Sequence, residues 1–410
     1  MESSYDIILI GLSRLDNILN SSAFNIASEW AKTNRVFYIN RPYSLKDYFL
    51  VGEVGAERRK KKRIFSKNTF ESVLINNEEI IAVTPALSLP INFLQDGALY
   101  DFLHAYNERV VADAVSELIK KYHIKNYVFF NNFIPAYFDV IPDHITQPLL
   151  KVYRSSDDIS QEPYIAKHGV RKEQIAVKEA DLVLVSSFGL QQKLSDLRDP
   201  VYRIPNAADF ELFNDFSELT KPEDLHAFEG KKLIFLSGNI SKLRIDYQLL
   251  SDIAVRFADC QLLIAGPVKD TELSDFQLNK FENITWLGAM SLANLARYLA
   301  YSDCAIIPFL KNTLTAGIYP LKINEYLAAG KPVVSTNFSE DIAGFSDCIY
   351  LANSNEEFIA QIERALNESG DIDLIQQRVT VAKSNNWAHR MAEIKHLVNL
   401  HIAEKQARLS

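Results

Sequence analysis

Short apolar runs alternate with amphipathic stretches along the chain, and the pattern runs through twice. In the first series, Tyr5–Ile10, Arg35–Ile39, Ile80–Val83, Tyr127–Phe130, Leu149–Tyr153 and Leu182–Val185 read as strands. Their apolarity is continuous rather than alternating, as expected of strands covered on both faces. Asn25–Lys32 and a long stretch from Leu99 to Tyr122 read as helices. Val201–Ile204 leads into a turn at Pro205–Asp209, and the polar residues 214–231, with Pro222 and Gly230, read as a linker. A second series follows, with strands at Leu233–Leu236, Gln261–Ala265, Asn283–Leu287, Ala305–Pro308, Val333–Ser335 and Cys348–Leu351. Tyr247–Phe257 and Leu292–Ala300 are helices between them. Strands alternating with helices mean parallel, doubly wound sheets.

The expected architecture is therefore two α/β domains, residues 1–210 and 211–385. An amphipathic helix from Asn385 to about Lys405, within residues 386–410, is expected to pack back on the first domain. Two such sheets facing one another place both ligand edges in a single cleft, and closure of that cleft would expel water.

Bulk properties narrow the classes. A length of 410 residues suits about two domains. A net charge of −8 argues against nucleic-acid binding. No stretch of about 18 apolar residues is present, and Met1–Asp6 lacks the basic and apolar regions of a signal peptide. A cytoplasmic protein is expected. Cys260, Cys304 and Cys348 each follow an aspartate and open an apolar run. Their spacing suits no zinc site, so they are expected to be reduced, half-buried residues at strand starts. No Gly-x-Gly-x-x-Gly, phosphate-loop or Gly-x-Ser-x-Gly signature follows a first strand, which disfavours dehydrogenase, kinase and hydrolase readings.

The stretch Pro320–Val334 carries the most chemistry. Pro320 suits the first helical position, Gly330 the position past the helix end, and Pro332 blocks continuation. Lys322 and Glu325 share a helix face. A cation in the first turn opposes the helix dipole, unless an anion binds there or the side chain simply points to water. Upstream, Leu233–Ser237 ends in Gly238, which permits close backbone approach, and the following loop carries Lys242 and Arg244. These cations suit a diphosphate; the alternative is a solvated loop.

From about Leu233 to Glu368 the chain resembles a GT-B-fold glycosyltransferase of the group 1, or family 4, type. The resemblance rests on the Gly238–Lys242–Arg244 loop, Leu263–Pro267, Asn283–Gly288, Ile306–Phe309 and Pro320–Val334 in the family's order. Val152–Asp158, Ala180–Ser186, Ile204–Ala207 and Asn386-Trp387 with Arg390 resemble it more loosely. The resemblance implies transfer of a sugar from a nucleotide-diphosphate sugar to an acceptor hydroxyl, retaining and without a metal or other cofactor. It implies a role in cell-surface or extracellular polysaccharide synthesis, with a glycan or lipid-linked acceptor. Glu325 matches the family's ribose-binding glutamate; its alternative is a pair with Lys322 or Lys331. Where many relatives carry a second glutamate, this chain has Gly317. Thr315–Lys322 approximates the Thr-x-x-x-x-Pro-Leu-Lys of a polysaccharide-biosynthesis subgroup, which makes Thr315, Gly317, Pro320 and Leu321 donor-site candidates.

The first domain is expected to bind the acceptor. Gly11, Arg14 and Asn131 follow strands at its ligand edge. Asp157 and Asp158 either orient or deprotonate an acceptor hydroxyl, or Ser155–Asp158 caps the next helix. The basic run Arg58–Arg63 either meets anionic lipid, with Phe49, Phe65 and Phe70 in a lipid-facing loop, or is a solvated loop. Asp371 and Asp373 imitate a metal motif of another transferase fold, but their place suits a helix cap. Two further readings stay open: a sugar-nucleotide isomerase or phosphorylase on the same plan, and a non-catalytic sugar-nucleotide binder.

Overall fold

The computed structural model describes residues 5–15, 21–50, 67–161, 163–216 and 219–409. The basic run Arg58–Arg63 lies outside them. The first sheet holds β1 (Asp6–Gly11), β2 (Val36–Asn40), β3 (Thr69–Ile75), β4 (Glu78–Thr84), β5 (Tyr127–Asn132), β6 (Leu150–Ser155), β7 (Leu182–Val185) and β8 (Tyr202–Arg203), in the order β3-β4-β2-β1-β5-β6-β7-β8. All pairings are parallel except β3 against β4. That hairpin turns through Asn76 and Asn77, both at positive φ (50° and 65°), as a two-residue primed turn requires. Phe70 therefore faces protein, with its ring 6.2 Å from that of Tyr122, and not a lipid-facing loop.

Alternate residues of each strand feed different cores. Ile7, Leu9, Val36, Tyr38, Val128 and Phe130 belong to one face. Ile8, Ile10, Phe37, Ile39, Tyr127 and Phe129 belong to the other. Burial of both faces is the physical reason the strands read as unbroken apolar runs.

The second sheet holds β9 (Leu233–Ser237), β10 (Gln261–Ala265), β11 (Ile284–Gly288), β12 (Cys304–Ile307), β13 (Val333–Thr336) and β14 (Tyr350–Ala352), ordered β11-β10-β9-β12-β13-β14. This order reverses at β9 and β12, which puts the ligand crevice at their carboxyl ends. Phe210, Phe213 and Leu225 pack into the second core, so residues 214–231 are not a bare linker; a 3-10 turn spans Glu223–Phe228. Cys260 and Cys304 are fully buried and Cys348 is half-buried; all three are free thiols.

The final helix, Trp387–Leu409, returns to the first domain. Trp387, Met391, Ile394, Val398 and Ile402 join the core beneath β1, β5 and β6. The two crossings between domains run side by side, bridged at Ala208 and Asn386. Among the described residues no helix is long and apolar enough to cross a membrane.

Candidate functional site

The carboxyl edge of the second sheet is built by glycine. Gly238 follows β9 at φ +121° and Gly266 follows β10 at φ +142°. A Cβ on Gly266 would lie 1.8 Å from the Gly238 carbonyl oxygen, so only glycine lets these two backbones meet. A Cβ on Gly238 would lie 2.8 Å from the Nζ of Lys322, which places that ammonium directly against the strand end. The Lys322 Nζ also sits 4.8 Å from the centre of the Phe309 ring.

Lys322 opens the helix Lys322–Ala328, with Leu321 as the capping residue. Pro320 thus stands one residue before the cap rather than at the first helical position. The other end is as the sequence implies. Gly330 takes φ +67°, its N–H donates to the Leu327 carbonyl at 2.9 Å, and the Lys331 N–H donates to the Tyr326 carbonyl at 3.0 Å. This pair of bonds is a Schellman stop.

The loop after Gly238 is pinned from below. The Leu310 N–H donates to the Arg244 carbonyl at 2.8 Å, and Ile245 bridges Phe309. Arg244 is thereby aimed at a cavity of about 310 Å3 between the domains. Gly238, Arg244, Pro320, Leu321, Lys322 and Glu325 line it from the second domain. Ser22 and Asp157 line it from the first, and Trp387 from the returning helix. Lys242 does not. Its backbone N–H donates to Glu272 Oε2 at 2.9 Å, a carboxylate that also accepts the Tyr247 hydroxyl, and its side chain is left exposed outside the cavity.

Two cations, Arg244 and Lys322, and three carboxylates, Asp157, Asp209 and Glu325, line the cavity. Burial lowers the Lys322 ammonium to a pKa of about 8; the Glu325 carboxylate opposes this, and the Arg244 guanidinium adds to it. Burial raises the Glu325 carboxyl to about 7, against the pull of Lys322. Lys331 is no partner for Glu325, since its ammonium donates to the Ala300 carbonyl at 2.7 Å. Two cations that repel each other share one apolar-walled space, and a bound anion would relieve that repulsion.

The other candidates sit as follows. Thr315 is buried in a capping box with Asn312, its hydroxyl committed to backbone and Asn312. The Gly317 carbonyl accepts from the Ser187 hydroxyl at 2.7 Å, so this glycine forms a contact between domains. Asp158 does not line the cavity. It caps the Ile159–Gln161 turn through the Ser160 N–H at 2.9 Å and pairs with Lys193. Burial pushes its pKa up, but Lys193 and Ser160 outweigh that and leave it low. The capping alternative read from the sequence thus describes Asp158, while Asp157 faces the cavity. Asn131 is fully buried and ties down its own loop through Ile134 and Tyr137. Gly11 leaves room for the Tyr38 hydroxyl, and Arg14 donates to the Arg41 carbonyl while stacking 3.5 Å above the Tyr43 ring. Asp371 caps the helix Ile372–Ser384, away from this site.

One residue escaped the sequence reading. Arg154, at the end of β6, is completely buried and its Nε has no partner. Its guanidinium donates to Asn132 Oδ1 at 3.2 Å and to Asn206 Oδ1 at 2.8 Å. The Asn206 carbonyl in turn accepts from Asn324 Nδ2 at 3.2 Å, which carries the chain of bonds into the second domain. Burial lowers the Arg154 pKa to about 10, with Asp157 opposing. The available signal was a lone charge in the apolar run Val152-Tyr-Arg.

Comparison with known proteins agrees with this geometry. Residues 231–368 match the family "Glycosyl transferases group 1". The matched segment spans β9 to the end of the helix after β14, and in it the chain is similar to group 1 glycosyl transferases. TuaH of Bacillus subtilis (strain 168), named as a glycosyltransferase for teichuronic acid biosynthesis, is 27% identical over 219 residues. The match covers 52% of this chain and 55% of TuaH, about half the length of each. Among solved structures, an α,α-trehalose 6-phosphate synthase from Burkholderia multivorans superposes with a TM-score of 0.69 at 10% identity, covering 99% of this chain and 98% of that one. The E. coli trehalose-6-phosphate protein bound with UDP-2-fluoro glucose gives 0.68 at 10% identity, covering 96% and 98%. Sucrose-phosphate synthase from Thermosynechococcus elongatus gives 0.64 at 13%, covering 98% and 100%. Over its whole length, not only in the matched segment, the chain has the two-lobed GT-B fold.

Proposed function

We propose that the protein is a glycosyltransferase that moves a sugar from a nucleoside-diphosphate sugar to an acceptor hydroxyl, with retention and without a metal, in polysaccharide synthesis. The observation that carries this reading is the convergence of Lys322, Arg244 and Glu325 on one cavity that faces Asp157 across the domain boundary. Departure of a nucleoside diphosphate builds negative charge, and preorganised cations in a dry site stabilise it. Lys322 and Arg244 fill that role. Glu325 accepts hydroxyl protons of the ribose. Asp157, on the first domain's side, is placed to orient the incoming hydroxyl. A neighbour crystallised with a UDP-sugar and a relative named for teichuronic acid support the donor class and the polysaccharide setting. Contact with anionic lipid through Arg58–Arg63 belongs to the same proposal.

The test is a thermal-shift series with UDP-, GDP-, ADP- and dTDP-sugars. One base is expected to raise the melting temperature, and Arg244→Ala to abolish most of that response. Nucleotide release that requires an acceptor separates transfer from isomerisation, and the anomeric configuration of the product tests retention. No response to any nucleotide would end the proposal.

A further inference from the structure

A second cavity, of about 340 Å3, opens in the first domain. Its volume falls within the range of small-molecule sites, about 300–1,000 Å3. The loops after β2, β4 and β5 line it, together with the helices Ala98–Lys121 and Pro163–Glu179. It neighbours the donor cavity: the turn after β6 gives Asp157 to one and Ile159 to the other. The two cavities thus meet at the turn after β6, whose Asp157 is one of the two carboxylates, with Asp209, that the first domain presents to the donor cavity.

The lining has two chemical parts. One is a fixed aromatic platform. The Tyr100 ring stacks on His168 at 3.7 Å and 14°, with His104 stacked at 5.5 Å on the same ring. His168 cannot turn, because its Nδ1 faces Asp96 at 2.8 Å and its Nε2 faces the Leu94 carbonyl at 3.1 Å. All three rings are buried against one another, so they form a rigid wall of the cavity rather than an open stacking face. The other part is a positive rim. Lys172 lies 3.2 Å and His104 3.1 Å from Glu108, which balances that side, while Asp47, held by the Ser44 N–H and hydroxyl, keeps its negative charge. Arg41 and Lys46 remain, both exposed, and among the described residues neither forms an ion pair with a carboxylate. Arg14 fixes the backbone under Arg41 through its carbonyl. A guanidinium fork matches a carboxylate or phosphate and offers nothing comparable to a neutral hydroxyl.

We infer that this cavity binds an anionic sugar, one bearing a carboxylate or a phosphate, and that this sugar is the acceptor. The word acceptor rests on the transferase reading; the preference for an anion does not. The test is a ligand-observed NMR titration of the full chain with methyl glucuronide, glucose 6-phosphate and methyl glucoside. At least one anionic probe is expected to bind about tenfold or more tightly than the glucoside, as loss of a charge-assisted bond implies. Which anion wins distinguishes carboxylate from phosphate. In the double variant Arg41→Gln, Lys46→Gln that preference should vanish while the nucleotide thermal shift stays, which shows the fold intact. Equal binding of all three probes, or a preference that survives in the double variant, overturns the inference. An anion preference in a protein that binds no nucleotide would end the transferase reading and leave this site standing.

Discussion

Lys322 is poorly placed for stability and well placed for work. Its ammonium is wedged against Gly238, over Phe309, beside another cation. Lys322→Met is expected to raise the melting temperature near pH 7, because it removes a buried charge, and to weaken nucleoside-diphosphate binding by roughly ten- to a hundredfold. Isothermal titration and a thermal melt on the same sample read both effects. Glu325 gives a pH signature. Its folded pKa of about 7 lies above the ordinary carboxylate value. The folded state thus holds a proton that the unfolded chain has lost, and the stability this contributes at low pH disappears as pH rises toward 7. Glu325→Gln does not titrate, so its melting temperature should gain on the wild type between pH 5 and pH 8. A constant difference across that range would show that the carboxylate is not desolvated. At this scale the sequence told much about the lining of the cavity between the domains. Gly238, Arg244, Lys322 and Glu325 come from two compact motifs with local spacing. It told little about Arg154 or the Tyr100–His168 stack, whose partners are distant in the chain and meet only through the sheet order. Lys242 was misplaced because Glu272, thirty residues on in the chain, takes its backbone and turns the side chain outward.

Among elements, the helix Lys322–Ala328 holds the site because its end is fixed. Gly330 adopts φ +67°, and a Cβ there would approach Ile375 Cγ2 to 2.8 Å. Gly330→Ala should cost about 1–3 kcal/mol through backbone strain and this clash, read as a lower urea midpoint with an unchanged slope. A neutral result would mean that the helix Ile372–Ser384 yields easily. Strands buried on both faces were legible as apolar runs, and the glycine stop as a glycine followed by proline. β3 was not. Its residues are exposed or half-buried at a sheet edge, and Glu71 and Ser72 cut its apolar run down to Val73–Ile75. The Asn76-Asn77 turn was the signal that marks it. Pro320 shows the limit of cap reading: the helix begins two residues later than its proline implies, a boundary slip of the usual size.

For the molecule as a whole, the last helix is structural to the first domain although it follows the second. Ile394 is completely buried against that first core. Ile394→Ala should destabilise the first domain by about 2–5 kcal/mol. Hydrogen exchange should then speed up in β1 and β5 and remain slow in β9 and β12. Equal acceleration in both sheets would mean that the lobes unfold as one unit. The two-lobed plan was visible because the strand pattern restarts, whereas the second cavity was invisible because seven separate segments build it.

The Ala208–Asn386 bridge has a mechanical consequence. Two covalent straps join the lobes at neighbouring points, and a body held by two adjacent straps loses the freedom to twist that a single tether would leave it. Relative motion is steered into bending about one line through the pair. The cavity that holds Lys322 and Asp157 has Ala207 and Ala208 of one strap and Trp387 beside the other in its wall. A bend about that line would therefore widen this cavity from the side away from Ala208 and Trp387.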